Sequence, residues 1–599
     1  MLEAEAIRDA VRALLAGRND RPMLDSWMRG LDRDLSRSLG SAGWIGMTWP
    51  APFGEGASQL ARLALTEELL RVGAPVCAHW TADRQIGPSL IRYGSVKLQE
   101  EFLPRIRQGS LICGIGLSEP DAGSDLAAIR TRARRVEGGW TIDGTKVWTT
   151  SAHAADVTYL LARTGEAGGR KEGLTEFLVD MTSPGLSVRP ITELSGECHF
   201  NEMIFESVFV PDDRVIGEVG NGWQQVADTL AFERGGAERY LSSYPLLVAA
   251  LDRARSFSDR GLSVRLGAIA ARMVALRRLN VDLAHSLDQG QVSALLAAEL
   301  KLLGTLLEQD VVEAAREIAG VCGSDEELDR LLAQGITAMP AATIRGGTSE
   351  VMRSIIGRSE GPARPLRSFS PELRPVVDDV LDEAWSADAE VLRRTLTDLG
   401  WFEVGSTDEE DGGTLADLAE ISAGVGRHAS PVEVWPEALD AAGLEPQEDT
   451  RRRLVLRAAA LFGAIDRATS MTVEHVATRH QFGKPLIAFQ AVAHAVAEMA
   501  TERDLAYAAI REALDRPTTG TALAARSVAA GAATRVAALA HQLHGAMGLT
   551  QEHTLHHFTG RLWAWRDAEE AAVRVDQQVG DLVLGGTSDA QLWSLITGS

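Results

Sequence analysis

The chain has 599 residues, 45% of them apolar and 24% charged, with a formal net charge of −23. A chain of this length is expected to form several domains, at roughly 100–200 residues each. The acidic balance argues against a nucleic-acid binder, which needs a basic face to neutralise phosphates, but it leaves room for an anionic small ligand in a local basic pocket.

Ala, Leu and Arg are abundant and Tyr is rare, so helix should dominate. Residues 1–111 read as a helical domain, with apolar residues at helical spacing over Leu60 to Val72 and Val96 to Gln108. Residues 112–222 change character. Short β-type runs (Ile112 to Leu117, Trp140 to Ile142, Val157 to Leu161, Glu176 to Val179 and Met203 to Phe205) are separated by Gly, Asp and Pro turns. Helical patterns return over 223–360, interrupted by a Gly/Pro-containing stretch from Gly335 to Gly347 that leads into Val351 to Ile356. Residues 361–371 read as a linker.

After the linker the sequence begins again. Gly43-Trp44 is followed by Gly-rich residues, an Ala/Leu-rich helix, Ala74-Pro75 and Trp80. Gly400-Trp401 is followed by an acidic Gly-rich run, a similar helix, Ser430-Pro431 and Trp435. From Gly to Pro the separation is 32 residues in the first case and 31 in the second. The second copy then reaches a long helix, Arg451 to Ala477, without passing through any β-type region. It is expected to have a helical N-terminal domain over 372–447 and a helical bundle over 448–599, and to lack a β domain.

Four cysteines, Cys77, Cys113, Cys198 and Cys322, form no Cys-x-x-Cys pair and have no metal-ligand spacing with His. They read as small buried side chains in a reducing compartment, and no metal site is expected. The N-terminus lacks a basic region followed by an apolar core, and no apolar run reaches the roughly 18 residues of a spanning helix. The expectation is a cytoplasmic protein that neither crosses nor binds a membrane.

Several ordered motifs carry a resemblance. Leu117-Ser-Glu-Pro-Asp-Ala-Gly-Ser-Asp125 is followed by Asp143-Gly-Thr-Lys-Val-Trp-Thr-Thr-Ser151. Then come Pro184-Gly-Leu-Ser-Val-Arg-Pro190, Ile204-Phe-Glu-Ser-Val-Phe-Val-Pro211 and Thr343-Ile-Arg-Gly-Gly-Thr-Ser-Glu350. In this order they resemble the acyl-CoA dehydrogenase family over residues 30–358. The implied fold is mainly α with a central β domain: a helical N-terminal domain, a β-barrel-like middle domain and a C-terminal helical bundle, here followed by the truncated second copy. The implied cofactor is FAD. By similarity, the Leu117 backbone and the Ser118 hydroxyl would bond the flavin edge, Trp148 would stack near the ring, and Thr150 would hold it. Ser124 would line the path of the thioester, and Thr348 and Glu350 would contact the flavin.

The family's reaction removes hydrogens from the carbons α and β to a thioester, and it needs a carboxylate base with a raised pKa. The usual base immediately precedes the Gly-Thr-Ser of the C-terminal signature; here that position is Gly346. Glycine cannot be a base, although it keeps a backbone N–H and leaves space. Some members place the base in a Glu-Arg pair on a helix after the β domain, which in this sequence is Glu233-Arg234. Glu233 is therefore the expected base, Arg234 a positioning residue and Glu350 a weaker rival.

Family members also grip the adenine end of the flavin from a neighbouring subunit, through an Arg-x-x-Phe-Gly motif with a Gln about eleven residues after the Arg, and through a later Gln-x-x-Gly-Gly motif. The corresponding stretch of the first copy, Arg255 to Gly261, is degenerate. The second copy has Arg479-His-Gln-Phe-Gly-Lys484, then Gln490 and Gln542-Leu-His-Gly-Ala-Met-Gly548. Arg479, Phe482, Gln490, Gln542 and Gly545 are thus the expected adenine-side residues, an Arg fork being suited to a pyrophosphate. The organisation resembles a fused form of the αβ heteromeric members, and implies one flavin per chain, an acyl-CoA substrate, an electron-transfer flavoprotein as acceptor and a homodimer of fused chains. Other enzymes on the same fold keep alternatives open: a flavin monooxygenase or oxidase, a dehydrogenase of carrier-protein thioesters, or a non-catalytic flavin-binding scaffold.

Overall fold

The computed structural model describes the whole chain except residues 1, 166–168, 170, 228–234, 258, 292, 362–363, 365–366 and 406–412. It divides into two compact units. The first comprises Met1–Ala249, Asn280–Lys301 and Asp325–Thr348; the second comprises Ala250–Leu279, Leu302–Ser324 and Ser349–Ser599.

In the first unit the expected N-terminal helices form at Gln59–Arg71 and Val96–Arg107. Each starts at a serine whose side chain satisfies a free backbone donor of the first turn: Ser58 accepts from Ala61 N at 3.1 Å and Ser95 from Leu98 N at 3.3 Å. The helix Gln59–Arg71 buries Glu67 and Glu68 along with its leucines. Arg8, on the helix Leu2–Ala16, pairs with both, reaching Glu68 at 3.0 Å, and the Tyr240 hydroxyl donates to Glu67 at 2.6 Å. Buried carboxylates persist only with such partners.

The β region forms one sheet from β1 (Cys113–Gly116), β2 (Arg132–Val136), β3 (Gly139–Thr150), β4 (Val157–Arg163), β5 (Leu174–Asp180), β6 (Leu186–Ile191), β7 (Phe200–Pro211) and β8 (Val215–Ile216). The strand order is β6-β7-β3-β2-β4-β5-β8, with β1 parallel to β4. Trp140, Ile142, Leu160, Phe177, Met203 and Phe205 pack its core, and Trp140 meets Phe177 edge-on at 5.8 Å. β2 is absent from the sequence reading for a physical reason: only Ala133 of its five residues is buried, so it has no alternating apolar signal. The stretch from Gly335 also departs from expectation. The helix Glu326–Ala342 runs through Gly335 and carries Pro340 in its last turn.

Among the described residues the second unit is helical, apart from the two-residue strands β9 (His480–Gln481) and β10 (Lys484–Pro485). Its helix Leu415–Arg427 opens on a capping box between Thr414 and Asp417 and packs on the long helix Pro446–Thr478. Two glycines set that approach. A Cβ at Gly463 would lie 1.8 Å from the Ala423 carbonyl oxygen, and one at Gly426 would lie 2.0 Å from that of Ala460. The helices Gln490–Asp515 and Thr519–His544 complete this bundle, with Leu555–Arg566 and Ala572–Leu584 against the last.

The internal repeat is visible locally in each unit. The helices Gln59–Arg71 and Leu415–Arg427 both follow a hydroxyl cap, and the later Trp80 and Trp435 are both buried. Within the stretch read as a linker, Ser368 to Ser370 are held in place. Phe369 is buried against Phe462 and stacks on Tyr507 at 5.2 Å. The buried Glu420 accepts from Phe369 N at 2.7 Å, Ser368 Oγ at 2.8 Å and Arg427 Nη2 at 2.8 Å. No described helix is long and apolar enough to cross a membrane.

Candidate active site

In the first unit, the loop from Leu117 to Asp125 is fastened to β3 by a buried ion pair. Lys146, on the inward face of β3, donates from Nζ to the Leu117 carbonyl at 2.8 Å and to Glu119 Oε1 at 2.9 Å. Glu119 also accepts from Arg130 N at 2.6 Å and Thr131 N at 2.8 Å, and Ser118 O accepts from Val147 N at 3.0 Å. Burial pushes the Lys146 ammonium down to about 8. Burial pushes the Glu119 carboxyl up, but Lys146 and the backbone donors outweigh it and hold the group below its ordinary range. Neither residue was singled out from sequence; the available signal was a lysine at an inward position of a strand. The pair leaves Leu117 and Ser118 half-buried on the surface and Ser124 exposed.

Trp148 sits where β3 carries one residue more than β7 between the pairs Lys146–Met203 and Thr149–Asn201. At this bulge its φ is +64°, a sterically costly conformation for an aromatic residue. The bulge turns the indole outward. Trp148 is 56% exposed, and among the described residues its ring neighbour is Phe200, edge-on at 5.8 Å. Thr150, two residues on, is half-buried at the end of β3. An exposed aromatic face beside a hydroxyl and a pinned polar loop fits a flat, hydrogen-bonding ring system such as isoalloxazine.

The C-terminal signature supplies Gly346 and Gly347, with φ of +62° and +95°. A side chain at Gly346 would have to adopt left-handed backbone, which explains the glycine where a Glu is usual. Arg345, just before it, pairs with Asp25 at 2.8 Å, both buried, and lies over Trp27. Burial works against the Asp25 charge, but Arg345 and then Arg29 hold the carboxyl below its ordinary range. Thr348 ends the last segment of the first unit, half-buried, while Glu350 lies in the second, exposed in the first turn of the helix Ser349–Ser359. Glu233 and Arg234 lie outside the described residues.

The adenine-side candidates all lie in the second unit. Arg479 ends the helix Pro446–Thr478, and its carbonyl accepts from Leu486 N at 2.9 Å. β9 and β10 then form a hairpin whose two turn residues, Phe482 and Gly483, have φ of +52° and +80°. Phe482 at the apex is 92% exposed. Gln490 starts the next helix, and Gln542 and Gly545 lie at the end of the helix Thr519–His544, all exposed. Stacked rings of His475 and His544 bring the Arg479 and Gln542 segments together; the sequence reading passed over both histidines.

The second unit also holds a cavity of about 1090 Å³ lined by Arg427, His428, Asp466, Arg503 and Trp385. Its buried arginines are largely occupied: Arg427 bonds Asp378 at 2.7 Å and Arg503 bonds Glu360 at 3.3 Å. Three cysteines are buried as expected, but Cys198 is only half-buried, because it lies on the loop before β7. Among the described residues no cluster of His, Cys, Asp and Glu is placed to hold a metal.

Three family descriptions match the chain. "Acyl-CoA dehydrogenase, N-terminal domain" covers residues 2–110 and "Acyl-CoA dehydrogenase, middle domain" covers 114–208. "Acyl-CoA dehydrogenase, C-terminal domain" matches twice, over 220–361 and 450–568. Acyl-CoA dehydrogenase FadE34 of Mycobacterium tuberculosis is 34% identical over 326 residues, which are 53% of this chain and only 44% of that protein's length. Acyl-CoA dehydrogenase IpdE1 of the same organism is 34% identical over 338 residues, 54% of this chain and 86% of that protein. The solved structure described as the Tcur3481-Tcur3483 steroid ACAD aligns with a TM-score of 0.53 at 27% identity, over 59% of this chain and 96% of that one. By its domains and by these relatives, the chain belongs to the acyl-CoA dehydrogenase family.

Proposed function

We propose that the chain is an FAD-dependent dehydrogenase that desaturates an acyl-CoA thioester between the α and β carbons. Members of the family bind FAD. The observation that carries the reading is the outward indole of Trp148, held in left-handed backbone beside Thr150 and the Lys146-anchored loop. Leu117, Ser118, Trp148, Thr150 and Thr348 would hold the ring, and Ser124 would line the thioester path. FAD, when bound, supplies the two-electron acceptor for the β hydride.

The chain's own residues supply the rest. Glu233 takes the α proton, and Arg234 positions it. The base must come from elsewhere than Gly346, whose backbone disfavours any side chain. Gly346 keeps its N–H for polarising the thioester carbonyl, which the weakly acidic α carbon requires. Arg479, Phe482, Gln490, Gln542 and Gly545 form the adenine-side grip, with Glu350 as a further flavin contact. Ring-side motifs occur only in the first copy and adenine-side motifs only in the second, which supports one flavin per chain. The electron acceptor is an electron-transfer flavoprotein, and the assembly is a homodimer of fused chains.

The test is anaerobic. Purified protein is mixed with a panel of saturated acyl-CoAs and its flavin absorbance is followed. Bleaching that disappears in Glu233→Gln with flavin retained is the expected result. Failure of every thioester to bleach the flavin, with fast oxidation of reduced flavin by oxygen, overturns the dehydrogenase reading. A flavin content near two per chain overturns the single site.

A further inference from the structure

A small cavity of about 30 Å³ in the first unit lies between one face of the helix Gln59–Arg71 and one face of residues 280–288. The first face presents Gln59, Arg62 and Leu63, and the second Asn280, Leu283 and Leu287. These spacings of three, four and seven residues place each set on a single helix face. Gly235 to Ala237 close the cavity, directly after Glu233-Arg234 in sequence.

Two of its polar side chains lack a hydrogen-bond partner among the described residues. Asn280 is 4% exposed, and its Nδ2 has no hydrogen-bond partner. Among the described residues the half-buried Arg62 guanidinium makes no hydrogen bond or ion pair; burial and then the neighbouring Arg84 push it down to about 10, against the pull of Asp83, Glu238 and Asp288. The surrounding charges are already engaged. Arg84 bonds Glu238 at 3.0 Å and Thr66 Oγ1 at 3.0 Å and lies 3.8 Å over the Trp80 ring. Asp83 accepts from Gly46 N at 2.7 Å, and Asp288 accepts from Gln59 N at 2.8 Å. A buried amide donor without a partner is costly, and the half-buried cation beside it is free to engage an anion. A single group with two acceptor oxygens satisfies both, and a cavity of this size admits a head group rather than a whole ligand.

We infer that Arg62 and Asn280 form a subsite for a carboxylate at the far end of the substrate's acyl chain, so that the preferred thioester is an ω-carboxyacyl-CoA. The inference rests on the dehydrogenase reading above and names its substrate class. Among the other wall residues, Leu63, Leu283, Ala284 and Leu287 would flank the last carbons of a chain that arrives with its charged end leading. Gln59, at the rim, offers an amide.

The experiment uses hexanoyl- to dodecanoyl-CoA and the ω-carboxy counterpart of each, in the flavin-loaded full chain. The expected ratio of kcat/KM, carboxylated over plain, is about 10- to 100-fold at the best-matched length, as for a charge-assisted bond lost. In Arg62→Met the ratio falls towards one, and Arg62→Lys restores part of it. Asn280→Asp inverts it, by setting a negative charge against the carboxylate. Because each ratio is taken within one protein, general damage to a variant cancels. A ratio near one in the unaltered protein, or one that survives Arg62→Met, overturns the inference. If no thioester reduces the flavin, the dehydrogenase reading fails and the subsite is judged by thermal protection. Protection of the unaltered protein, but not of Arg62→Met, by the ω-carboxyacyl-CoAs beyond their plain counterparts supports the subsite. Equal protection by both, or by free acetate alone, overturns it.

Discussion

The imidazole rings of His475 and His544 stack at 4.5 Å with 22° between their planes. His475 lies four residues before Arg479 and His544 two residues after Gln542, so this stack joins the two segments of the proposed adenine-side grip. Two stacked imidazolium cations would repel, so the contact depends on both rings staying neutral. Burial pushes His544 down to about 4, against the opposing bond from its Nδ1 to the Ala540 carbonyl, and burial also lowers His475.

The pH consequence has a definite sign. Between the unfolded value of about 6.5 and the folded value of about 4, the unfolded chain takes a proton that folded His544 refuses. Stability is therefore full above this window and falls as pH falls through it. His544→Phe keeps the stack without the proton site. Melting temperatures from pH 7 to pH 4 should drop less steeply in His544→Phe than in the unaltered protein. Parallel curves would remove His544 as the cause.

Phe482 separates stability from binding. The two-residue turn it shares with Gly483 has positive φ at both positions, for which Asn-Gly is preferred. Phe482→Asn should raise the melting temperature of flavin-free protein slightly, because the left-handed penalty of roughly 1 kcal/mol is relieved. The same change should weaken FAD binding by about 10-fold, the scale of one lost aromatic contact. Equilibrium dialysis and calorimetry read the two effects independently.

Gly346→Glu tests why the usual base position is empty. The side chain would stand at φ of +62°, at a cost of about 1–2 kcal/mol. The expected result is a lower melting temperature and no rescue of turnover when it is combined with Glu233→Gln. Recovery of turnover in the double variant would show that the backbone tolerates a base there.

Lys146→Met leaves the buried Glu119 carboxylate without its cation. Breaking a buried pair on one side costs about 3–5 kcal/mol. Denaturant unfolding should show that loss, and Lys146→Met with Glu119→Gln should recover most of it. Equal losses in the single and double variants would mean that Glu119 is carried by the Arg130 and Thr131 amides alone.

The parts of the molecule legible in the sequence are those with local signatures. Helical spacing marks the helix Gln59–Arg71, and short β-type runs between turns mark parts of β3 and β7. The ordered motifs point to Trp148 and to Arg479. What stays hidden depends on folded neighbours. β2 has one buried side chain and therefore no pattern. The Lys146–Glu119 pair joins residues 27 apart, and the Arg345–Asp25 pair joins the two ends of the first copy. Arg62 and Asn280 are ordinary helix residues until folding sets them on one cavity and buries the Asn280 amide without a partner.

The clasp around Phe369 limits where the gene can be cut. A fragment beginning at codon 372 would lack the aromatic ring that fills the space between Phe462 and Tyr507, and would strip Glu420 of its Ser368 and Phe369 donors. That half, expressed alone, should be poorly soluble. A fragment that starts before Glu360 carries its own plug and its own counter-charges. To a tailor of this gene, the seam lies upstream of the stretch that looks like thread.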